Sequence, residues 1–162
     1  MPYEIVRFPY PGTIDADGHI LEPANLWEDY LEADYRDRAL RIRAGDDGLE
    51  YLEINGRKSE RTNNGSVGVL GAMGDVNAFP SPERRYMDSM PFGASDAAER
   101  IELLDQENLE KAVLYPTLGL LWECELTDPE LGIAYARAYN RWIADFCRES
   151  RGRLVPIAQL TL

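Results

Sequence analysis

The chain has 162 residues, of which 29 are acidic and 17 basic, so its net charge is -12. This balance argues against nucleic acid or an anionic membrane as the main partner, because both attract clustered positive charge. Hydrophobic residues make up 44% of the chain, which favours a globular domain with a real core and no membrane-spanning segment.

The first regular element predicted is a strand that begins at Thr13, after a lead-in of residues 1–12 broken by three prolines and a glycine. We assign residues 13–19 to this strand and the candidate metal motif that ends it. Pro23 to Tyr35 is predicted to form a helix or turn. Two segments in which apolar and polar residues alternate then flank an Asp-Gly turn at residues 45–48, and an Asn-Gly turn follows at residues 55–56. This pattern predicts a β-hairpin over residues 40–56.

Residues 62–95, called the flap below, differ in kind from the rest. They are rich in Gly, Pro, Asn, Ser and Met and show no sustained period, which is typical of a lid, a binding loop or disorder. We interpret the segment as a mobile flap without regular structure. Its three methionines either line an apolar pocket or anchor the flap on the core.

The last part, residues 96–162, is predicted to be helix, strand, helix, strand. The first helix spans Asp96 to Glu107 with capping-box spacing between Asp96 and Glu99. A buried strand follows at Ala112 to Tyr115, then a helix capped by Thr127 or Asp128 and ended by Gly152. The third strand is Leu154 to Leu162. Helices that alternate with apolar strands predict an α/β fold with parallel strands and right-handed crossovers.

The chain ends on an apolar strand, whereas chain ends are usually polar and exposed. This strand is either the last member of a small sheet or an edge that more sequence would cover. We expect the second case, in which residues 1–162 form one incomplete domain. An open edge beside apolar surface also predicts self-association.

The strongest chemical motif is Asp17-Gly18-His19. Side chains two apart on a strand point the same way, so a carboxylate and an imidazole are placed to reach one cation. This oxygen and nitrogen pair suits zinc, manganese or iron better than calcium. Because His19 is the only histidine, a His-rich site from this chain alone is excluded. The alternative is a turn with a structural histidine.

Three further residues are weaker candidates. Glu22 has three interpretations: a metal ligand, a residue that orients His19, or a solvated loop residue, of which the last is the default. Glu123 and Cys124 follow the second parallel strand, so both would lie at the same edge as Asp17 and His19. The alternative for them is a surface loop with one packed thiol. Cys124 and Cys147 indicate reduced thiols in a cytoplasmic protein.

Several segments in order are similar to the amidohydrolase-related family, the branch of the amidohydrolase superfamily that includes aminocarboxymuconate-semialdehyde decarboxylase. They are IDADGHILEP, LWEDYL, YRDRALRI, AVLYPTLGLLWE, AYNRWIADFC and RLVPIAQLTL. No single segment is specific for the family, but the whole set in this order is. Only the flap matches the family loosely. The resemblance covers nearly the whole chain.

The resemblance implies a metal-dependent TIM barrel, of which this chain would supply the first three strands with their helices, the hairpin insertion and the flap. In the family, the first strand ends in His-x-His or carboxylate-x-His ligands, which here are Asp17 and His19. The family's remaining ligands and acid-base groups have no counterpart in residues 1–162. A full barrel needs about 250 residues.

The function expected is therefore the N-terminal portion of a metal-dependent hydrolase or decarboxylase acting on a small carboxylate or amide-like substrate, inactive as the isolated chain. A divalent metal is expected to bind weakly or not at all, with zinc favoured and manganese as the alternative. A second hypothesis is a non-catalytic half-barrel module that pairs with a partner chain. A third is a small metalloenzyme completed by Glu22, Glu123 or Cys124.

Overall fold

The computed structural model describes residues 5–161. The predictions for residues 1–4 and for Leu162 lie outside the described residues. Within this part the strands are Thr13–His19 (β1), Arg41–Ala44 (β2), Glu50–Ile54 (β3), Arg57–Lys58 (β4), Leu109–Tyr115 (β5) and Leu154–Pro156 (β6). The α-helices are Leu26–Tyr30 (α1), Ser66–Gly71 (α2), Ala97–Glu107 (α3) and Pro129–Cys147 (α4). None of these helices is both long and apolar enough to cross a bilayer.

A parallel sheet in the order β1-β5-β6 forms the base of the fold. The prediction of three parallel strands is thereby confirmed, and such a sheet is consistent with part of a barrel. β5 begins at Leu109, three residues before its predicted start, and β6 is shorter than predicted. Regular pairing of β6 ends at Pro156, which has no N–H to donate, although Ile157 still donates its N–H to the Leu114 carbonyl at 3.1 Å.

The predicted hairpin is present and forms a sheet of its own. β2 pairs antiparallel with β3, and β3 with β4. The tight turn between β3 and β4 places Asn55 at φ 52° and Gly56 at φ 72°, which matches the left-handed positions of a type I′ turn. Leu52 and Ile54 of β3 are buried in the common core, so the hairpin packs on the parallel-sheet unit.

The helix over residues 97–107 forms almost as predicted. Asp96 caps it, because its carboxylate accepts the N–H groups of Ala98 and Glu99 at 2.8 and 2.9 Å. Asn108 ends it in the left-handed conformation at φ 63°. The Glu99 side chain departs from a capping box, since it accepts the Gly93 N–H at 3.0 Å and so ties the flap to the helix.

Helix α4 is the main cover of the core. Asp128, not Thr127, caps it by accepting the N–H groups of Glu130 and Leu131. The predicted apolar stripe is confirmed: Phe146 is partly buried, and the other stripe residues are buried, namely Leu131, Tyr135, Ala138 and Trp142. The predicted element over Pro23 to Tyr35 is divided into α1 and a 3-10 helix over Ala33–Arg38, because Leu31 between them is extended.

The flap contains regular structure, so the expectation of a segment without any is wrong. Helix α2 lies within it, and Val67 and Tyr86 are fully buried. The two helical glycines Gly68 and Gly71 let the backbone of residues 84–86 lie directly against α2. The sequence shows no apolar period here because close backbone contact, rather than a stripe of large side chains, joins the two parts.

We expect Gly68→Ala to lower the free energy of unfolding by about 1–3 kcal/mol. A Cβ at this position would overlap the carbonyl oxygen of Arg84, a backbone atom that cannot move alone. The same substitution in α4, Gly132→Ala, is the control. Its nearest neighbour would be Trp122 at 3.6 Å, so it should gain up to about 1 kcal/mol of helix propensity. Urea denaturation measures both, and equal changes in the two variants would contradict the packing of α2.

Candidate functional site

The carboxyl end of β1 carries the candidate ligands. The β1–β5 register is irregular there: Asp15 pairs with Ala112 but Gly18 pairs with Leu114, so three residues of β1 oppose two of β5. The Asp17 N–H donates to Oδ1 of Asp15 at 3.1 Å within this bulge. Bulges commonly re-aim side chains next to functional sites.

The structure brings Asp17 and His19 into one cavity of about 290 Å³. Asp17 is exposed and His19 is half-buried. The remaining wall is contributed by β1, the flap and α3, and includes Asp15, Met73, Phe92, Arg100 and Glu107. Of the flap methionines, Met73 lines this cavity, Met90 packs against the core and Met87 is exposed.

Contacts with the loop that follows β5 hold the His19 side chain in place. Its Nδ1 lies 2.9 Å from the carbonyl oxygen of Pro116 and 3.3 Å from Oγ1 of Thr117. A carbonyl only accepts hydrogen bonds, so the ring proton is assigned to Nδ1. In the neutral ring Nε2 is then a lone-pair donor, which is the state required of a metal-binding nitrogen. A guanidinium nitrogen of Arg100 donates to the His19 carbonyl.

Glu22 is not the solvated loop residue expected by default, because its exposed fraction is 0%. Its carboxylate accepts three backbone N–H groups: Thr117 and Gly119 donate to Oε1 at 3.0 and 2.9 Å, and Leu118 donates to Oε2 at 2.9 Å. Burial raises the pKa of Glu22 to about 7, while these N–H donors act in the opposite direction. Both carboxylate oxygens are therefore engaged with the loop that follows β5.

Two tyrosines surround Glu22. Tyr86 of the flap donates its hydroxyl to the Glu22 carbonyl at 3.0 Å, and its own N–H binds Glu50 at 2.7 Å. Burial, and then the charge of Glu22, raise the pKa of Tyr86. The same two causes raise the pKa of Tyr139, whose buried hydroxyl has no hydrogen-bond partner in the described part of the chain. The Glu22 carboxylate thus has two tyrosine hydroxyls in its vicinity that keep their protons at neutral pH.

Glu123 and Cys124 are not placed beside Asp17 and His19. Both are exposed, and each lines a different cavity, Glu123 near the start of α4 and Cys124 near the hairpin. The reason is Glu125, which accepts the Ser59 hydroxyl at 2.6 Å and the Glu60 N–H at 2.9 Å and so ties this loop to the hairpin.

Sequence reasoning missed Asp15 and Glu107, which also line the cavity of Asp17 and His19. The sequence does carry a signal for Asp15, because residues 15, 17 and 19 are spaced two apart on one strand. It carries none for Glu107, because the position of that residue follows from how α3 packs. Residues 5–161 contain no group of three or more His, Cys, Asp or Glu side chains arranged to hold a metal ion.

Comparison with solved structures identifies a similar fold. A crystal structure of an amidohydrolase from Mycobacterium avium subsp. paratuberculosis K-10 superposes with a TM-score of 0.66 at 21% sequence identity. The match covers 91% of this chain and 42% of that one. No family model matches this chain, and no curated protein does. The chain therefore shares the fold of somewhat less than half of an amidohydrolase.

The raised pKa of Glu22 makes stability depend on pH. A carboxyl group whose pKa is higher in the folded state contributes stability that is complete below the unfolded pKa and lost as pH rises through the folded one. The free energy of unfolding relative to Glu22→Gln should thus fall between pH 4.5 and about 7, with a slope of at most about 1.4 kcal/mol per pH unit.

Urea denaturation of both proteins across this range measures the difference. Glu149→Gln, which removes a carboxylate from an exposed side chain, is the control for the loss of one negative charge. A difference between wild type and Glu22→Gln that rises with pH would show that the N–H donors outweigh burial.

Proposed function

We propose that this chain carries the opening strands and the first two metal ligands of a metal-dependent hydrolase or decarboxylase of the amidohydrolase type. Its substrate would be a small carboxylate or amide-like compound. The ligands are Asp17 and His19, and the metal is a divalent ion, with zinc favoured over manganese. The likeness of fold to an amidohydrolase supports the class of protein.

The geometry of His19 is the observation that carries the proposal. Its Nδ1–H points to the Pro116 carbonyl at 2.9 Å, which leaves Nε2 with a free lone pair. Histidines that bind metals commonly donate their other N–H to a carbonyl or carboxylate in this way. The exposed Asp17 carboxylate lines the same cavity, so the oxygen and nitrogen donors fit a borderline metal such as zinc.

The cavity walls suggest how a substrate would be held. Met73 and Phe92 of the flap contribute apolar side chains to the cavity, and β1 and α3 contribute polar ones. In this arrangement the flap residues bind the substrate body and shield it from water, while Asp15 and Glu107 supply further carboxylates. A bound divalent metal contributes Lewis acidity toward a carbonyl or carboxylate.

Two protein donors are fewer than the three usual in catalytic zinc sites. We infer that the remaining donors come from outside the described residues, either from further sequence or from a partner chain. The chain spans 42% of the amidohydrolase that it resembles in fold, which is compatible with this inference. Catalysis by the present chain alone is not expected.

Titration calorimetry with zinc should show weak binding, with a dissociation constant above the micromolar range, that is abolished in His19→Ala. Asp17→Asn should weaken the same binding at least about tenfold, because it removes one of two donors. Asp46→Asn, an exposed hairpin carboxylate, is the control and should change nothing. Zinc binding that survives His19→Ala would contradict the assignment.

A second candidate function, a half-barrel interaction module, is favoured by one face of the parallel sheet. Ala112 and Leu114 of β5 are buried toward the helices, whereas Val113 between them is only half-buried. Val113 pairs with Val155 of β6, and Lys111 on the same side pairs with Ile14, which is 50% exposed. This open face is available for a partner or for a second copy.

If the open face is an interface, the chain should self-associate at micromolar concentration, opposed but not prevented by its net charge of -12. Val155→Glu should shift the protein toward monomer, because it buries a charge in the contact. Val76→Glu, at a residue 92% exposed outside the sheet, is the matched control. Analytical ultracentrifugation distinguishes the cases, and a wild-type monomer at this concentration would show that the face does not pair with a second copy.

A further inference from the structure

Glu22 and His19 are connected through one short loop, residues 116–119. The Glu22 carboxylate binds the N–H groups of Thr117, Leu118 and Gly119, all at 2.9–3.0 Å. The same loop presents the Pro116 carbonyl and the Thr117 hydroxyl to Nδ1 of His19, at 2.9 and 3.3 Å. Thr117 thus takes part in both sets of contacts.

The shape of this arrangement requires a carboxylate. Three N–H groups converge on two oxygens, and each needs an acceptor because the site is buried. A glutamine side chain has one carbonyl oxygen, and its amide nitrogen would meet at least one N–H donor. Only a side chain with two acceptor oxygens provides a hydrogen-bond partner for all three N–H groups in the present conformation of the loop.

A buried carboxylate is a costly way to stabilise a loop, since taking the charge out of water opposes folding. Its effect on geometry is more specific. With three successive N–H groups fixed, the peptide units of the loop cannot rotate, and the Pro116 carbonyl keeps its direction toward the His19 ring. A second element holds Glu22 itself, because the Tyr86 hydroxyl binds its carbonyl at 3.0 Å.

We propose that Glu22 is a positioning residue for His19: through the backbone of residues 116–119 it holds the Pro116 carbonyl where it fixes the Nδ1–H tautomer of the ring. The tautomer assignment stands on these contacts alone. Its consequence, an Nε2 lone pair directed to a divalent metal, rests on the proposed function.

His19 is the only histidine of the chain, so the ring nitrogens can be observed by ¹⁵N NMR without assignment. In the neutral imidazole one ring nitrogen carries the proton, and the chemical shifts of the two nitrogens report which one it is. In the wild type we expect the Nδ1–H tautomer to predominate. In Glu22→Gln the ratio of Nδ1–H to Nε2–H should fall about fivefold to tenfold, since a directed hydrogen bond is weakened.

Two controls separate positioning from general loss of stability. Leu104→Ala creates a cavity in the core at α3, so it destabilises the protein without touching the loop and should leave the tautomer ratio unchanged. Glu22→Asp keeps the charge but shortens the side chain, and should give an intermediate ratio. It also serves where Glu22→Gln does not fold.

A wild-type ring protonated mainly on Nε2 would overturn the inference without any variant. So would a ratio that is the same in wild type and both Glu22 variants, or one that changes equally in Leu104→Ala. Zinc titration of the same samples and of His19→Ala distinguishes the two proposals. A Glu22-dependent tautomer together with zinc binding that survives His19→Ala rejects the metal role of His19 and keeps the positioning role of Glu22, whereas His19-dependent zinc binding with a tautomer independent of Glu22 does the reverse.

Discussion

The arrangement of the site depends on one interaction, the buried carboxylate of Glu22 with three backbone N–H groups of the loop after β5. It joins the end of β1 to the end of β5 at the edge where parallel strands present functional groups. The flap is attached at the same point, through the Tyr86 hydroxyl. Three segments that are far apart in sequence therefore meet at one residue, Glu22, and His19 lies three residues from it.

The scaffold around this group is held by aromatic packing. Trp122, at the end of the same loop region, packs edge-on against Tyr135 of α4 with ring centroids 5.3 Å apart. The Tyr135 hydroxyl donates to the Arg38 carbonyl, which fixes the segment before the hairpin to α4. Burial raises the pKa of Tyr135 to about 12, so this donor is retained at neutral pH. The loop of residues 116–122 is thus fixed at both ends, by Glu22 and by α4.

Local patterns in the sequence predict the elements but not their long-range partners. The cap at Asp96, the stripe of α4 and the hairpin turns depend on residues within about four positions of one another, so periodicity and turn chemistry suffice. The burial of Glu22 depends on N–H groups 95 to 97 residues away, and no local rule identifies them. Helix α2 was missed for the same reason, because backbone contact with residues 84–86 replaces the apolar stripe that sequence reading looks for.

His19 and the open face of the sheet belong to one surface. Tyr115 lies two residues after Val113 on β5 and pairs with His19, and the two rings are 6.2 Å apart. His19 therefore occupies the carboxyl edge of the same face that carries Val113 and Val155. An element that covered this face, whether from this chain or from another, would bring its own side chains toward His19. Under the proposed function, covering the face and completing the set of metal donors would be one event, and the two candidate functions would then be two consequences of the same half-open sheet.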